Sequence, residues 1–293
     1  MRQGPANEQW RVLMGIGLMC LAGAMFPFMN AFAKILGANY HTLEISWARF
    51  FGHVAFTMAL FMPASGVRMF ITRQPKLQMA RSVIQCLSNC LFVAAIVHQP
   101  LADAAAIGMM GPLIVAALAW PILGERTSPG HMAAIVVGFA GVLIVIRPGS
   151  GMFHPSSLFL IGSATCYALY QILTRLGANI YPPATTTFYS SAFGAVAMLV
   201  VLPFVGKLPA SFGDFALFCA LGVLGGLGHY CIVRALGLAP VNIIAPFQYF
   251  QLLGSVAAGY AMFGQLPDAA TFLGAAVIVA AGLYLGWSRT RSR

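Results

Sequence analysis

From Val12 to Ala33 the chain reads VLMGIGLMCLAGAMFPFMNAFA, and runs of this kind recur along its 293 residues, broken by short polar stretches. A helix of about 20 apolar residues spans the roughly 30 Å of hydrocarbon in a bilayer. No water-filled surroundings suit so many runs in succession: 60% of the residues are hydrophobic and 8% charged, against about 25% charged in ordinary soluble domains. Lipid offers backbone N–H and C=O groups no partner, so the crossings are expected as helices rather than as the shorter, alternating strands of a closed barrel. Runs near 11–36, 43–62, 77–97, 101–122, 131–146, 156–175, 184–204, 215–236, 241–263 and 268–287 give ten expected transmembrane helices in an all-α integral membrane protein.

The formal net charge of +10 could suggest nucleic acid. The basic residues follow the loops instead and form no clustered basic face, so no nucleic-acid partner is expected. With a cytoplasmic N-terminus, the inner segments hold Arg2, Arg11, Arg68, Arg73, Lys76, Arg81, Arg126, Arg175, Arg234, Arg289, Arg291 and Arg293, against Lys34, Arg147 and Lys207 outside and Arg49 within the second crossing. That asymmetry predicts cytoplasmic termini, with membrane lipids as surroundings. Arg2, Arg11 and Ala31-Phe32-Ala33 imitate a cleavable signal, but the apolar run exceeds a signal core of about 7 to 15 residues, so the first crossing is expected to be retained. The cysteines (Cys20, Cys86, Cys90, Cys166, Cys219 and Cys231) fall in expected helices with no CxxC pair. They read as packing residues, and no metal is expected.

KILGANY at 34–40 and TRLGANI at 174–180 share the word LGAN at an offset of 140, which also aligns Pro63 with Pro203, Gly66 with Gly206, Pro100 with Pro240 and Gly124 with Gly264. Turn and helix-stop residues are where a repeated architecture shows first. Five crossings separate the two LGAN words, an odd number, so they are expected on opposite faces. Equivalent segments on opposite faces define an inverted repeat, with a binding site near the midplane. The expected division is two inverted five-helix repeats, 1–147 and 148–293. Gly37 and Gly177 then stop the first helix of each.

The stretch PLADAAAIGMMGPLIVAALAWPILGERTSPGHMAAIVVGFAGVLIVIRPG (100–149) joins a Pro before a small-residue helix, an apolar helix ending in GER, and a Gly-studded helix ending in RPG. It resembles the closing part of the EamA domain of the drug/metabolite transporter superfamily. APVNIIAPFQYFQLLGSVAAGYAMFGQLPDAATFLGAAVIVAAGLYLGW (239–287) repeats it loosely, with Gln265-Leu266 in place of Glu125-Arg126. The resemblance covers essentially the whole chain as two EamA domains. It implies a ten-helix carrier in the cytoplasmic membrane moving small organic solutes by alternating access: amino-acid derivatives, nucleoside-like or vitamin-like solutes, or S-adenosylmethionine. Glu125 and Arg126 read as loop residues that fix helix ends and topology.

Polar groups in membrane helices are costly unless paired or hydrated, so each is a candidate for function. Lys34 reads as a residue snorkelling to the interface or as a coupling group, with Asn30 and the helix-kinking Pro27 on its side. Glu44, Arg49 and His53 lie on the second helix. An ion pair of Glu44 with Arg49 is expected ahead of contact between Arg49 and an anionic solute, and both residues are candidates for coupling or gating. Asp103 reads as a cap of the fourth helix ahead of a proton relay. Gln85 and Asn89 share a face at i and i+4, as do Tyr167, Tyr170 and Gln171, and the latter face is expected to meet that of Asn30. In GVLGGLGHYCIVRAL (222–236), close packing accounts for the glycines, with Gly222 and Gly226 as a GxxxG pair. It does not account for His229, the candidate proton-sensitive group. Gln248 and Gln251 in APFQYFQLL sit among Phe247, Tyr249 and Phe250. The expected substrate site is therefore Asn30, Gln85, Asn89, Tyr167, Tyr170, Gln171, His229, Gln248, Tyr249 and Gln251.

Nothing in the chain matches GxSxG, HExxH or a Walker A loop, so no enzyme, no cofactor and no ATP-driven pump is expected. A secondary transporter of a small organic solute is the first reading, with direction, coupling ion and self-association as a homo-oligomer left open. The alternative is a non-transporting scaffold or a lipid-modifying membrane protein.

Overall fold

A computed structural model describes residues 5–111, 113–115, 117–118, 129–147, 154–177, 180–238 and 245–291. Their regular structure is entirely helical. The helices longer than one turn are α1 (Pro5–Leu36), α2 (Thr42–Ser65), α3 (Pro75–Ile96), α4 (Leu101–Gly108), α5 (Pro129–Ile146), α6 (Ser156–Gly177), α7 (Pro183–Leu199), α8 (Phe212–Leu238), α9 (Phe250–Phe263) and α10 (Ala269–Arg291). Short 3₁₀ turns follow α2 and precede α9. Prolines open α3 and α7 at positions where a helix has no N–H to satisfy. His41 caps α2, its Nδ1 accepting from the Leu43 N–H at 3.2 Å.

Among the described residues five segments are long and apolar enough to cross a membrane: Gln9–Leu36, Thr42–Pro63, Pro75–Ile96, Ser156–Thr174 and Phe212–Leu238. Leu101–Val115, Met132–Ile146 and Ala269–Tyr284 are apolar but shorter. In α7 the apolar run is diluted by Thr185, Thr186, Thr187, Ser190 and Ser191, all buried. The bundle is inside-out relative to a soluble protein. Leu21, Phe51, Leu60, Val196, Leu253 and Phe272 are exposed, while Asn30, His53, Arg81, Gln85, Asn89 and His229 are buried. Lipid is the solvent for which that distribution is favourable.

The main packing partners are α1 with α8, α3 with α6, α2 with α7, α2 with α8, α3 with α7, α5 with α10, α1 with α9, α4 with α6 and α4 with α9. Exchanging each helix for the one five places on maps every one of these pairs onto another of the set or onto itself. α1 and α6, expected to meet, are not among them, because α1 lies against the glycine face of α8 while α6 lies on α3. Gly222 and Gly52 face each other at the α2–α8 crossing, where a Cβ on either would overlap the other's backbone. Gly226 lies under Phe56 and Gly228 under Phe26. A second glycine crossing, Gly141 against Gly274, joins α5 to α10.

Hydrogen bonds gather at two ends. At one end the Tyr40 hydroxyl donates to Asp214 at 2.8 Å and accepts from the Ala210 N–H at 2.7 Å, while Gln99 donates to Ser156 and Ser157 at 2.8 Å each. Arg147 pairs with Asp268 there at 2.5 Å. The Thr271 N–H, donating to Asp268 Oδ1, and the Arg147 guanidinium hold that carboxyl below its ordinary range. At the other end Tyr189 donates to the Phe70 carbonyl at 2.7 Å. Gly37 lies against Val97 at the first end and Gly177 near Tyr181 and Leu77 at the second, so the two LGAN words begin at opposite ends of the bundle. Asn179, Glu125 and Arg126 lie outside the described residues.

The candidate substrate cavity

Between α1, α2, α3, α4, α6, α8 and α9 lies a cavity in which the centre of a water molecule can occupy about 120 Å³, many times the roughly 10–15 Å³ that one water needs. Its polar lining is Asn30, Arg49, Gln85, Ser88, Asn89, Ser163, Tyr167, Gln171, His229, Gln248 and Gln251. Phe26, Met29, Phe92, Met109 and Leu160 supply apolar wall. Local sequence explains several placements. Gly254 leaves room where the Pro27 ring of α1 approaches α9, and Gly23 does the same beneath Phe250 and Gln251. The resulting close approach sets Gln251 against the cavity.

Four lining side chains each keep one buried polar atom with no hydrogen-bond partner among the described residues: Asn30 Oδ1, Gln85 Oε1, Gln171 Nε2 and His229 Nδ1. Each of these residues is less than a tenth exposed. Three of the four are held at their other polar atom. Gln248 donates to Gln171 Oε1 at 3.2 Å, and Gln85 Nε2 lies 3.5 Å from His229 Nε2. The His229 ring stacks on His53 at 5.3 Å and meets Phe26 edge-on at 5.2 Å. Ser88 and Ser163 are paired, each hydroxyl donating to the other's carbonyl at 2.9 and 2.8 Å, which fastens α3 to α6 beside the cavity. Oriented dipoles fixed at one end and unpartnered at the other can accept a polar solute at little cost in reorganisation.

Of the expected site residues, Asn30, Gln85, Asn89, Tyr167, Gln171, His229, Gln248 and Gln251 line this cavity, and Tyr170 and Tyr249 do not. Tyr170 turns toward α7, its hydroxyl 3.0 Å from Ser190 Oγ. Tyr249 is directed at Gly282 of α10. The expected Glu44–Arg49 ion pair does not form. Positions five apart on a helix point about 140° away from each other. Glu44 Oε1 accepts from the Lys207 N–H at 3.0 Å at the first end of the bundle. Arg49 reaches the cavity and donates through Nε and Nη1 to Asn89 Oδ1, both at 3.1 Å with the amide oxygen turned to the guanidinium. Lys34 is directed to the first end of the bundle. Its ammonium donates to the Gln99 carbonyl and lies 5.6 Å from the centre of the Phe263 ring. Asp103 does not cap α4, whose N-cap is Pro100; it accepts from Thr271 Oγ1 at 3.0 Å.

Arg81 is the residue that sequence reasoning missed, having counted it with the inner basic set. It is 1% exposed, donating to Thr174 at 3.1 Å, Gln78 at 2.5 Å and Ser190 at 3.0 Å, with the Tyr170 ring centre 5.3 Å away. The signal was present: Gln78, Arg81, Ser82, Gln85 and Asn89 follow helical spacing, so Arg81 belongs to a polar stripe rather than a loop.

The sequence pattern of the EamA-like transporter family matches residues 13–147 and again 154–286. The S-adenosylmethionine uptake transporter of Rickettsia prowazekii is 26% identical over 280 residues, covering 96% of this chain and 95% of its own. The riboflavin transporter of Rhizobium johnstonii is 28% identical over 288 residues, with coverages of 96% and 93%. The pseudopaline exporter CntI of Pseudomonas aeruginosa is 28% identical over 293 residues, with coverages of 94% and 96%. A solved crystal structure at 17% identity shares the fold, with a TM-score of 0.70 over 97% of this chain and 99% of the other.

Proposed function

Because the chain belongs to the EamA-like transporter family, a family of multi-pass membrane proteins, we propose that it is a secondary active transporter that moves a small organic metabolite through the cavity by alternating access. The observation that carries this reading is the set of unpartnered polar atoms on Asn30, Gln85, Gln171 and His229, enclosed in a bundle with an apolar exterior. Helices from both ends of the chain supply them, as expected where a site lies between two repeats. The two family matches and the exchange symmetry of the helix pairs support a division into repeats at 1–147 and 148–293 with ten crossings. Relatives named for uptake and for export of different metabolites support the solute class and leave direction to experiment. Purified protein in liposomes decides the matter. Saturable, solute-specific flux across a panel of labelled metabolites is the expected result, and no flux of any of them would favour a scaffold.

Within that reading Gln248→Leu should weaken apparent affinity by roughly 1–3 kcal/mol, because a polar group on the solute loses its partner, while leaving the melting temperature near that of the parent. Tyr170→Phe, outside the cavity, should leave affinity unchanged. Normal affinity in Gln248→Leu would remove the residue from the site.

The same proposal places both termini in the cytoplasm of a cell whose inner membrane holds the protein, from the bias of basic residues toward that side. A cysteine introduced at Arg73, in the exposed segment between α2 and α3, should resist a membrane-impermeant thiol reagent in intact cells and react once the membrane is opened. Labelling from outside would reverse the topology.

A further inference from the structure

The cavity holds a permanent cation with no acid among the described residues to balance it. Arg49 stays protonated at any physiological pH, and its one hydrogen-bonding partner among the described residues is the neutral amide of Asn89. The chain has six acidic residues: Glu8, Glu44, Asp103, Asp214, Asp268 and Glu125. Glu8 lies in the first turns of α1, far along the helix from Asn30. Glu44 is engaged by the Lys207 N–H, Asp103 by Thr271, Asp214 by Tyr40 and Asp268 by Arg147. Glu125 follows α4 and lies outside the described residues. No described carboxylate lines the cavity.

Geometry adds to charge. The Arg49 stem runs past Gly225 of α8, its Cγ at ordinary contact distance from where a Cβ would stand. Asn89 occupies Nε and Nη1, and Nη2 donates to no described residue. A guanidinium fixed along one edge by an amide presents its remaining donors in a set direction, and planar bidentate acceptors suit that arrangement best. The nearby imidazoles of His53 and His229 supply no negative charge. Phe26, Phe92 and Met29 offer apolar surface for the rest of a solute.

We propose that Arg49 is the residue that determines specificity, and that the transported solute carries a carboxylate which docks on it, its apolar or aromatic body lying against the Phe26 and Phe92 side of the cavity. This rests on the transporter reading above. Asn89 acts as a positioning residue by holding the guanidinium edge. The inference excludes solutes whose charge is purely cationic, since they would meet an unshielded like charge in a medium that screens poorly.

The test uses the full-length protein in liposomes and matched pairs of tracers that differ only at one group: indole-3-acetate with indole-3-acetamide, N-acetyltyrosine with N-acetyltyrosinamide and nicotinate with nicotinamide, together with cationic analogues of each. In the parent protein at least one carboxylate should move about tenfold or more faster than its amide, the scale expected of a hydrogen bond to a charged group. Arg49→Gln should bring that ratio close to one, and Arg49→Lys, which keeps the charge and loses the fork, should fall between. Amides or cations that move as fast as the carboxylates in the parent protein would overturn the proposal, as would a ratio that survives in Arg49→Gln. Should Arg49→Gln not fold, the parent ratios and Arg49→Lys still decide. If none of these tracers moves, the same comparison is made on the solute that the metabolite panel identifies, and a transported solute without a carboxylate overturns the inference while leaving the transporter reading intact.

Discussion

Gly222→Leu is expected to leave almost no folded protein in the membrane, and Gly222→Ala to lower stability by about 3 kcal/mol, at the upper end of overpacking penalties. The reason is the α2–α8 crossing, where a Cβ at residue 222 would overlap the backbone of Gly52 rather than the movable end of a side chain. Helices in lipid associate through close van der Waals packing, with little hydrophobic drive to compensate for a lost fit. Gly237 lies on the same helix with nothing within 4 Å of a would-be Cβ, so Gly237→Ala is the matched control and should be neutral or slightly stabilising through helix propensity. Monodispersity and melting temperature in detergent measure both. A parent-like melting temperature for Gly222→Ala would mean the two helices do not cross at this contact.

Arg81→Ala is expected to cost about 3 kcal/mol, within the range for truncating a large buried side chain to alanine. Arg81→Met should cost less than about 1 kcal/mol. The comparison separates two contributions. Two donated hydrogen bonds tie α3 to α6 and α7 and a third stays within α3, but their net worth is small once the desolvation of an unpaired cation is set against them, and a hydrophobic residue of similar volume often serves as well. The filled volume is what alanine loses and methionine keeps. In the separated helix Arg81 stands six residues from Pro75, about 9 Å of rise, near enough for its long side chain to reach the interface. Folding removes it from that refuge. If Arg81→Met melts as low as Arg81→Ala, the hydrogen bonds outweigh the volume and this ranking is wrong.

Much of the architecture could be read from apolar length and the repeat of punctuation, because both are imposed locally on the chain. Helix ends at Leu36 and Gly177 lie where LGAN puts them. Which side chains meet could be read only where helical spacing decides it. Gln85 with Asn89, and Tyr167 with Gln171, share faces at i and i+4 and turn to one cavity. Glu44 was matched to Arg49 by proximity in sequence, and the helix angle places them on different faces. Tyr170, at i+3 from Tyr167, sits at the edge of its face, and the cation of Arg81 engages its ring. That choice depends on a partner 89 residues away, which spacing within one helix does not specify. The α1–α8 pairing was hidden for the same reason: symmetry relates α1 to α6 without saying whether the two touch.

The pairs α1 with α8, α2 with α7, α3 with α6, α4 with α9 and α5 with α10 each join an early helix to a late one. During synthesis the first five helices are therefore made before any of these partners exists. At about 5–20 residues per second, the remaining half of the chain takes roughly 7 to 30 s to follow. Through that interval Arg81 lacks its acceptors Thr174 and Ser190, and Gln85 lacks His229. A nascent chain released at the end of α5 would be an orphan with its polar faces unclothed, a substrate for membrane quality control rather than half of a working carrier.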